Sequence, residues 1–168
     1  MTLALNKIVS GGQTGADMGG LLAARDLGIE TGGIAPKGWL TENGPHEALL
    51  RSFGLAECEE RGYAARTRLN VARSDGTLLV GPHRNGGSRL TYEVATELKK
   101  PLLLIACPNP SGRKLDTPRM EDFRIWLERY EIQTLNVAGS RESESRGIAE
   151  FTRNFLWNAL RDILSAKQ

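Results

Sequence analysis

The chain has 168 residues, 40% of them hydrophobic, which is enough for one packed domain and short for two. Its 22 basic and 20 acidic residues are interspersed and leave a formal charge of +2, without the basic blocks of a nucleic-acid or membrane-surface binder. The two cysteines, Cys58 and Cys107, stand far apart and suggest neither a disulfide framework nor a zinc site, and no apolar run approaches the roughly 18 residues of a membrane span.

The N-terminal stretch Met1 to Lys7 lacks the basic start and apolar core of a targeting segment, so a soluble, unprocessed, cytoplasmic protein is expected, with no nucleic-acid or membrane partner. In chain order, Lys7 to Ser10 reads as a first strand. SGGQTGADMGG, Ser10 to Gly20, follows it with five glycines in eleven residues and runs into an amphipathic helix over Ala16 to Leu27. Thr14 is a candidate cap for that helix, with Asp17 three residues on, and Gly19-Gly20 suit close helix packing. A second strand, Gly33 to Ala35, ends in Pro36-Lys37-Gly38, where a cation replaces the acidic residue that would hold a nicotinamide ribose. Pro36 to Gly62 reads as a long irregular piece with an extended segment at Leu55-Ala56-Glu57, and its Trp39 is a candidate cover for a flat ligand.

Beyond it, a helix is expected over Tyr63 to Arg73, a turn at Asp75-Gly76 and a strand over Thr77 to Gly81. The loop Gly81 to Ser88 leads to a helix over Ser88 to Lys100, with Ser88 as its candidate cap. A strand over Leu102 to Ala106 ends at Cys107, a candidate exposed thiol or soft-metal ligand. A helix over Pro118 to Tyr130 starts with Thr117 as cap. The strand Thr134 to Ala138 and the loop Gly139 to Ser143 precede a last helix over Gly147 to Ala166. Its stripe of Phe151, Phe155, Leu156, Trp157, Leu160 and Leu164 is wider than one sheet face covers and points to self-association. Nearly continuous apolar strands alternating with helices predict an α/β fold: a single Rossmann-like domain over residues 1–168, its mostly parallel sheet of about five or six strands covered by helices on both faces.

Three Gly/Ser loops then fall at equivalent positions, each after a strand and before a helix, and are expected to meet in one crevice. Glycines there let a ligand reach main-chain N–H groups beside a helix N-terminus, which favours an anion such as phosphate. No Walker A motif, G-x-G-x-x-G pattern or G-x-S-x-G elbow is present, and His46 and His83 lack zinc-ligand spacing.

The runs SGGQTGAD, GGIAPKG, SDGTLL, GGSRLTYE and LNVAGSRES, spread from Ser10 to Ser143, resemble the molybdenum cofactor carrier proteins. That family lies within the Rossmann-like SLOG superfamily, with the lysine-decarboxylase-like phosphoribohydrolases. The resemblance implies a non-catalytic carrier that shelters molybdenum cofactor (molybdopterin), a homo-oligomer (dimer or tetramer), and molybdoenzymes as recipients. It implies a first anion cradle at Gly11, Gly12, Gln13, Thr14 and Gly15, Lys37 in the matching turn, a second cradle at Gly86, Gly87 and Ser88, and Asn136, Ser140 and Arg141 on the third side. In the phosphoribohydrolase relatives the second loop reads P-G-G-x-G-T-x-x-E. Here Glu93 keeps the spacing of that glutamate while Arg89 and Leu90 replace the inner Gly-Thr. The alternative is therefore a nucleotide-processing enzyme with Glu93 as acid/base and Arg89 as phosphate clamp, or a nucleotide-sensing module in which a nucleotide phosphate takes the pterin's place.

Overall fold

Short apolar runs become strands here because both of their faces are covered. Along the third of the expected strands Leu78, Leu79 and Val80 are all buried, Leu78 and Val80 on one side of the sheet and Leu79 between them on the other. Burial of each such side chain is worth about 1.5–3 kcal/mol, which outweighs the weak strand propensity of a run only a few residues long.

The computed structural model describes residues 3–107 and 117–165. Its elements run β1 (Lys7–Val9), α1 (Ala16–Leu27), β2 (Glu30–Ala35), β3 (Leu40–Thr41), β4 (Gly44–Pro45), α2 (Glu47–Ser52) and β5 (Leu55–Glu57). They continue with α3 (Tyr63–Ala72), β6 (Gly76–Val80), α4 (Gly86–Glu97), β7 (Leu102–Ile105), α5 (Thr117–Arg129), β8 (Thr134–Gly139) and α6 (Ile148–Ser165). Six strands form one sheet in the order β5-β2-β1-β8-β6-β7, every neighbouring pair parallel. The register sets Val9 beside Gly32 on one side and Asn136 on the other. Helices α1, α5 and α6 bury Phe123, Leu127, Ile148, Phe155 and Leu156 on one face of the sheet. On the other, α3 and α4 contribute Val71, Val94 and Ala95. This is the Rossmann-like α/β domain expected, with helices on both faces. No helix among the described residues is long and apolar enough to cross a membrane.

The expected helices lie within a few residues of those observed, while Ala166 and the side chain of Thr117 fall outside what is described. Gly19 and Gly20 do admit close packing: a Cβ on Gly19 would lie 2.4 Å from the Ala149 carbonyl oxygen of α6, and one on Gly20 2.8 Å from Val137 of β8. Asp75 makes the expected turn, its carboxylate accepting the Gln133 and Thr134 amides at 3.1 and 2.8 Å.

Four readings need correction. The segment 36–62 is not irregular, since the β3–β4 hairpin and α2 fold over Leu21, Leu50, Phe53 and Leu55. Trp39 is buried in that cluster under the Arg51 guanidinium, so it covers no ligand. The strand β7 is not covered on both sides; it is the edge of the sheet and leaves Leu104 exposed. The apolar stripe of α6 is largely used by the chain's own core, with Phe155, Leu156 and Leu160 buried and Trp157, 37% exposed, as its one exposed large apolar residue. The stripe therefore gives little reason of its own for self-association.

Candidate functional site

The first glycine loop leaves β1 and enters α1 with Gly15 at the N-cap position, φ 82°, and no side chain capping the helix. Thr14 is not the cap. Its hydroxyl donates to the Glu42 carboxylate and accepts the Glu142 amide. What excludes side chains from this loop is the protein itself. A Cβ on Gly11 would lie 1.8 Å from Arg66 Nη1, one on Gly12 2.7 Å from a Leu50 methyl, and one on Gly15 2.2 Å from the Ser140 carbonyl oxygen.

The second loop is different. A Cβ on Gly86 or Gly87 would meet no atom within 4 Å. Asn85 stands at the N-cap of α4 without a side-chain capping bond, so Ser88 is not the cap but a buried residue of the first turn. The first-turn N–H groups of a helix have no partner within it, and they carry the positive end of its dipole.

A cleft of about 270 Å³ opens in front of this turn. Its walls are Tyr63, Arg66 and Thr67 of α3 and Gly86, Gly87 and Ser88 of α4, with the end of β8 at Ala138 and Gly139 and then Arg141. Gln13 and Asp17 close it from the first loop and α1. All three glycine loops thus reach one cleft, beyond the carboxyl ends of strands on either side of the point where the strand order reverses, the usual ligand position in such sheets.

Asp17 is 4% exposed and Arg66 12%, and Arg66 Nη1 meets Asp17 Oδ2 at 3.4 Å. The same carboxylate oxygen accepts the Gln13 amide at 3.2 Å. Burial pushes the Asp17 carboxyl above the usual carboxylate range, against the pull of the Arg66 guanidinium and of the Gln13 and Gly11 amides. Gln13 Oε1 accepts two amides, from Thr14 at 3.1 Å and Glu42 at 2.8 Å, which fixes its orientation and leaves Nε2 as a buried donor with no partner among the described residues. Arg66 Nε is likewise buried without a hydrogen-bond partner among the described residues. The Arg141 guanidinium lies 5.2 Å from the centre of the Tyr63 ring and has no carboxylate hydrogen bond among the described residues.

With Glu144 at its rim, the cleft holds two arginines and two acids. Formal charge therefore does not select a ligand; hydrogen bonding does. The Asp17 carboxylate already has three donors, while Arg66 Nε, Gln13 Nε2 and the first turn of α4 have no acceptor among the described residues. A buried donor left unmatched costs about 1–3 kcal/mol, so a ligand rich in acceptor oxygens is the chemical complement.

Of the residues expected to hold a ligand, the fold brings Gln13, Gly86, Gly87, Ser88 and Arg141 together. The others do not line the cleft. Gly12, Thr14 and Gly15 face a separate recess, with His46 and Glu142. Lys37 donates to the Glu59 carbonyl at 3.2 Å beside Glu57 and Arg61. Asn136 is buried within β8, bonding the Thr77 hydroxyl at 3.2 Å, and Ser140 accepts the Ala16 amide at 3.2 Å with its carbonyl. Arg89 and Glu93 pair with each other at 2.7 Å on an open face of α4, 62% and 52% exposed. Cys107 and His83 line a different cavity, at the end of β7, and burial pushes the Cys107 thiol up. No cluster of three or more metal-ligating side chains occurs among the described residues.

The sequence model of the circularly permutated YpsA SLOG family matches residues 8–160. A crystal structure from Syntrophus aciditrophicus SB, described as a putative molybdenum carrier protein, is similar with a TM-score of 0.81 and 36% identity over 95% of this chain and 98% of that one. No curated protein matches the chain.

Proposed function

The chain belongs to the circularly permutated YpsA SLOG family, and from that premise we propose that it is a non-catalytic carrier whose cleft holds a phosphate-bearing small molecule, molybdenum cofactor before a nucleotide. The observation that carries this reading is the set of donors without a partner among the described residues, Arg66 Nε, Gln13 Nε2 and the first turn of α4 with its two open glycines, around one cleft. Phosphate oxygens satisfy such donors, and a charge-assisted bond to a guanidinium is about twice as strong as a neutral one. A volume of about 270 Å³ is below the 300–1,000 Å³ of a pocket that encloses a drug-sized ligand, so the cleft takes the phosphate end and leaves the rest toward Tyr63 and Arg141 at its side. No cysteine or histidine among the described residues lines it, so a molybdenum atom would stay on its own dithiolene, and the chain would supply phosphate contacts, the Tyr63 face and shelter from water.

The similarity to a protein described as a molybdenum carrier supports the pterin over a nucleotide. Mass spectrometry and metal analysis of ligand retained by gently purified protein test the reading. Molybdenum and phosphorus in equal amounts are expected. A retained nucleotide without molybdenum would move the assignment to nucleotide sensing. Release of free base from a nucleoside monophosphate would move it to hydrolysis. Neither dimer nor tetramer follows from the fold; light scattering at micromolar concentration decides between self-association and a monomer.

A further inference from the structure

We propose that Arg66 grips the oxyanion of the ligand through the edge that carries Nε and Nη2, and that Gly11 and Asp17 form the seat that positions it; this rests on the reading of the cleft as an anion site. Arg66 belongs to α3, outside all three glycine loops, and lines the cleft. Its guanidinium lies on Gly11 so closely that a methyl group there would overlap Nη1 at 1.8 Å and Cζ at 2.5 Å. Asp17 fixes the same end of the group through Nη1.

With Nη1 engaged, the Nε/Nη2 edge remains. That edge is the fork whose two parallel N–H groups match two oxygens of one tetrahedral oxyanion. It has no partner among the described residues, and its Nε is buried. Gln13 Nε2, on a residue only 5% exposed that lines the same cleft, is a further donor without a hydrogen-bond partner among the described residues. Lysine would not reproduce this, because an ammonium lacks the planar fork and the flat face that rests on Gly11. Gly11 is thus glycine to make room for an arginine, and that arginine rather than the bare loop meets the anion. The chemistry suits a phosphate group and molybdate alike.

Calorimetric titration with inorganic phosphate, and separately with molybdate, tests this on the unmutated protein and three variants, with thermal unfolding beside it. Gly11→Ala is the sharp case. It changes no charge, its backbone lies outside the left-handed region, and the atoms it displaces are the far end of a flexible side chain. Gly11→Ala and Arg66→Ala should each weaken phosphate binding by at least about tenfold. Arg66→Lys should fall between them and the unmutated protein. The dependence of affinity on ionic strength should stay as in the unmutated protein for Gly11→Ala and Arg66→Lys and flatten for Arg66→Ala, a split that a merely structural role would not produce.

Phosphate bound as tightly by Gly11→Ala as by the unmutated protein would overturn the seat, and unchanged binding by Arg66→Lys would overturn the fork even if Gly11→Ala failed to fold. Binding of neither anion by the unmutated protein would remove the anion reading of the cleft and this proposal together. Loss of both anions in the variants supports a shared oxyanion site, and loss of phosphate alone supports a phosphate ester as its occupant.

Discussion

The first and second glycine loops look alike in sequence, each a glycine pair and a small polar residue between a strand and a helix, yet they are glycine-rich for opposite reasons. In the first, a leucine, a guanidinium and a backbone carbonyl occupy the places where side chains would be. In the second, those places are open space in front of an uncapped helix turn. Glycine density therefore marks close approach without saying what approaches. The first loop has been closed on by its own chain, and only the second keeps bare backbone toward the cleft.

Paired substitutions break or sharpen this contrast, and the largest effect belongs to Gly15 against Gly87. Alanine at Gly15 has to adopt φ 82° with its Cβ 2.2 Å from the Ser140 carbonyl oxygen. Strain of about 1–3 kcal/mol and overpacking of similar size add to roughly 2–6 kcal/mol, a large part of a domain's stability. Chemical denaturation should show that loss, or no folded product. Alanine at Gly87 meets nothing, and inside the first helical turn it gains up to about 1 kcal/mol of helix propensity. Its unfolding temperature should hold or rise while retention of a phosphate ligand falls. Two losses of equal size in stability would show that the loops are the same kind of structure after all.

Arg141 comes next, because it sharpens which cations face the open loop. It makes no hydrogen bond or close ion pair to a carboxylate among the described residues, and beyond its contact with Tyr63 and a weak attraction to Glu42 it has little folding role. Arg141→Ala should weaken phosphate binding about three- to tenfold and reduce its salt dependence, with stability within about 0.5 kcal/mol. A stability loss without a binding loss would make Arg141 part of the scaffold, like the first loop.

The strand and helix order was legible because buried parallel strands are continuous in apolar residues, and the loops were legible because glycine follows them. Arg66 was not. It sits inside a helix, where an arginine reads as solvated, and the signal available was that Tyr63, Arg66, Thr67 and Asn70 put polar groups at helical spacing on the side that faces the sheet. Asn70 shows the same principle, bonding both the amide and the carbonyl of Ile34. The hairpin was missed because its strands are two residues each and its fold depends on Glu42, whose partners are distant in the chain. The Glu42 carboxylate accepts from Thr14 and from the hydroxyl and amide of Ser143, tying hairpin, first loop and third loop together.

That tie gives a pH prediction of smaller size. Hydrogen bonds from the Ser143 and Thr14 hydroxyls hold the Glu42 carboxyl below the usual range, against a small loss of solvation. A lowered carboxyl stabilises the fold fully above its ordinary pKa, and that contribution disappears as pH falls through the lowered value. The tie should persist at neutral pH and release only in acid, seen as a shift of the Trp39 indole NMR signal that Glu42→Gln shows already at pH 7. Glu42 is half-buried and its hydrogen bonds are to neutral groups, so the associated stability is about 1 kcal/mol or less. An indole signal unchanged by the substitution would mean that the hairpin is held by Trp39 and Leu50 alone.

The smallest effect is expected at Arg89 and Glu93, where the two readings of the second loop part most clearly. Their spacing from Gly86-Gly87 matches the phosphoribohydrolase pattern, but side chains four apart on a helix share whichever face the helix gives them, and here that face is open. An exposed pair at this spacing contributes about 0.3–0.5 kcal/mol, less still in salt. Neither residue lines the cleft, whose wall on this helix is made by Gly86, Gly87, Ser88, Leu90 and Thr91. Arg89→Ala and Glu93→Gln should therefore leave phosphate retention within about twofold and thermal stability nearly unchanged. A general acid or base acts within hydrogen-bond reach of the proton it moves, so a pair bonded to each other outside the cleft would have to rotate into it before any chemistry. Free base released from a nucleoside monophosphate by the unmutated protein and lost in Glu93→Gln would show that α4 turns or shifts in the complex, and the open glycines at its start would then serve that motion as well as the approach of the ligand.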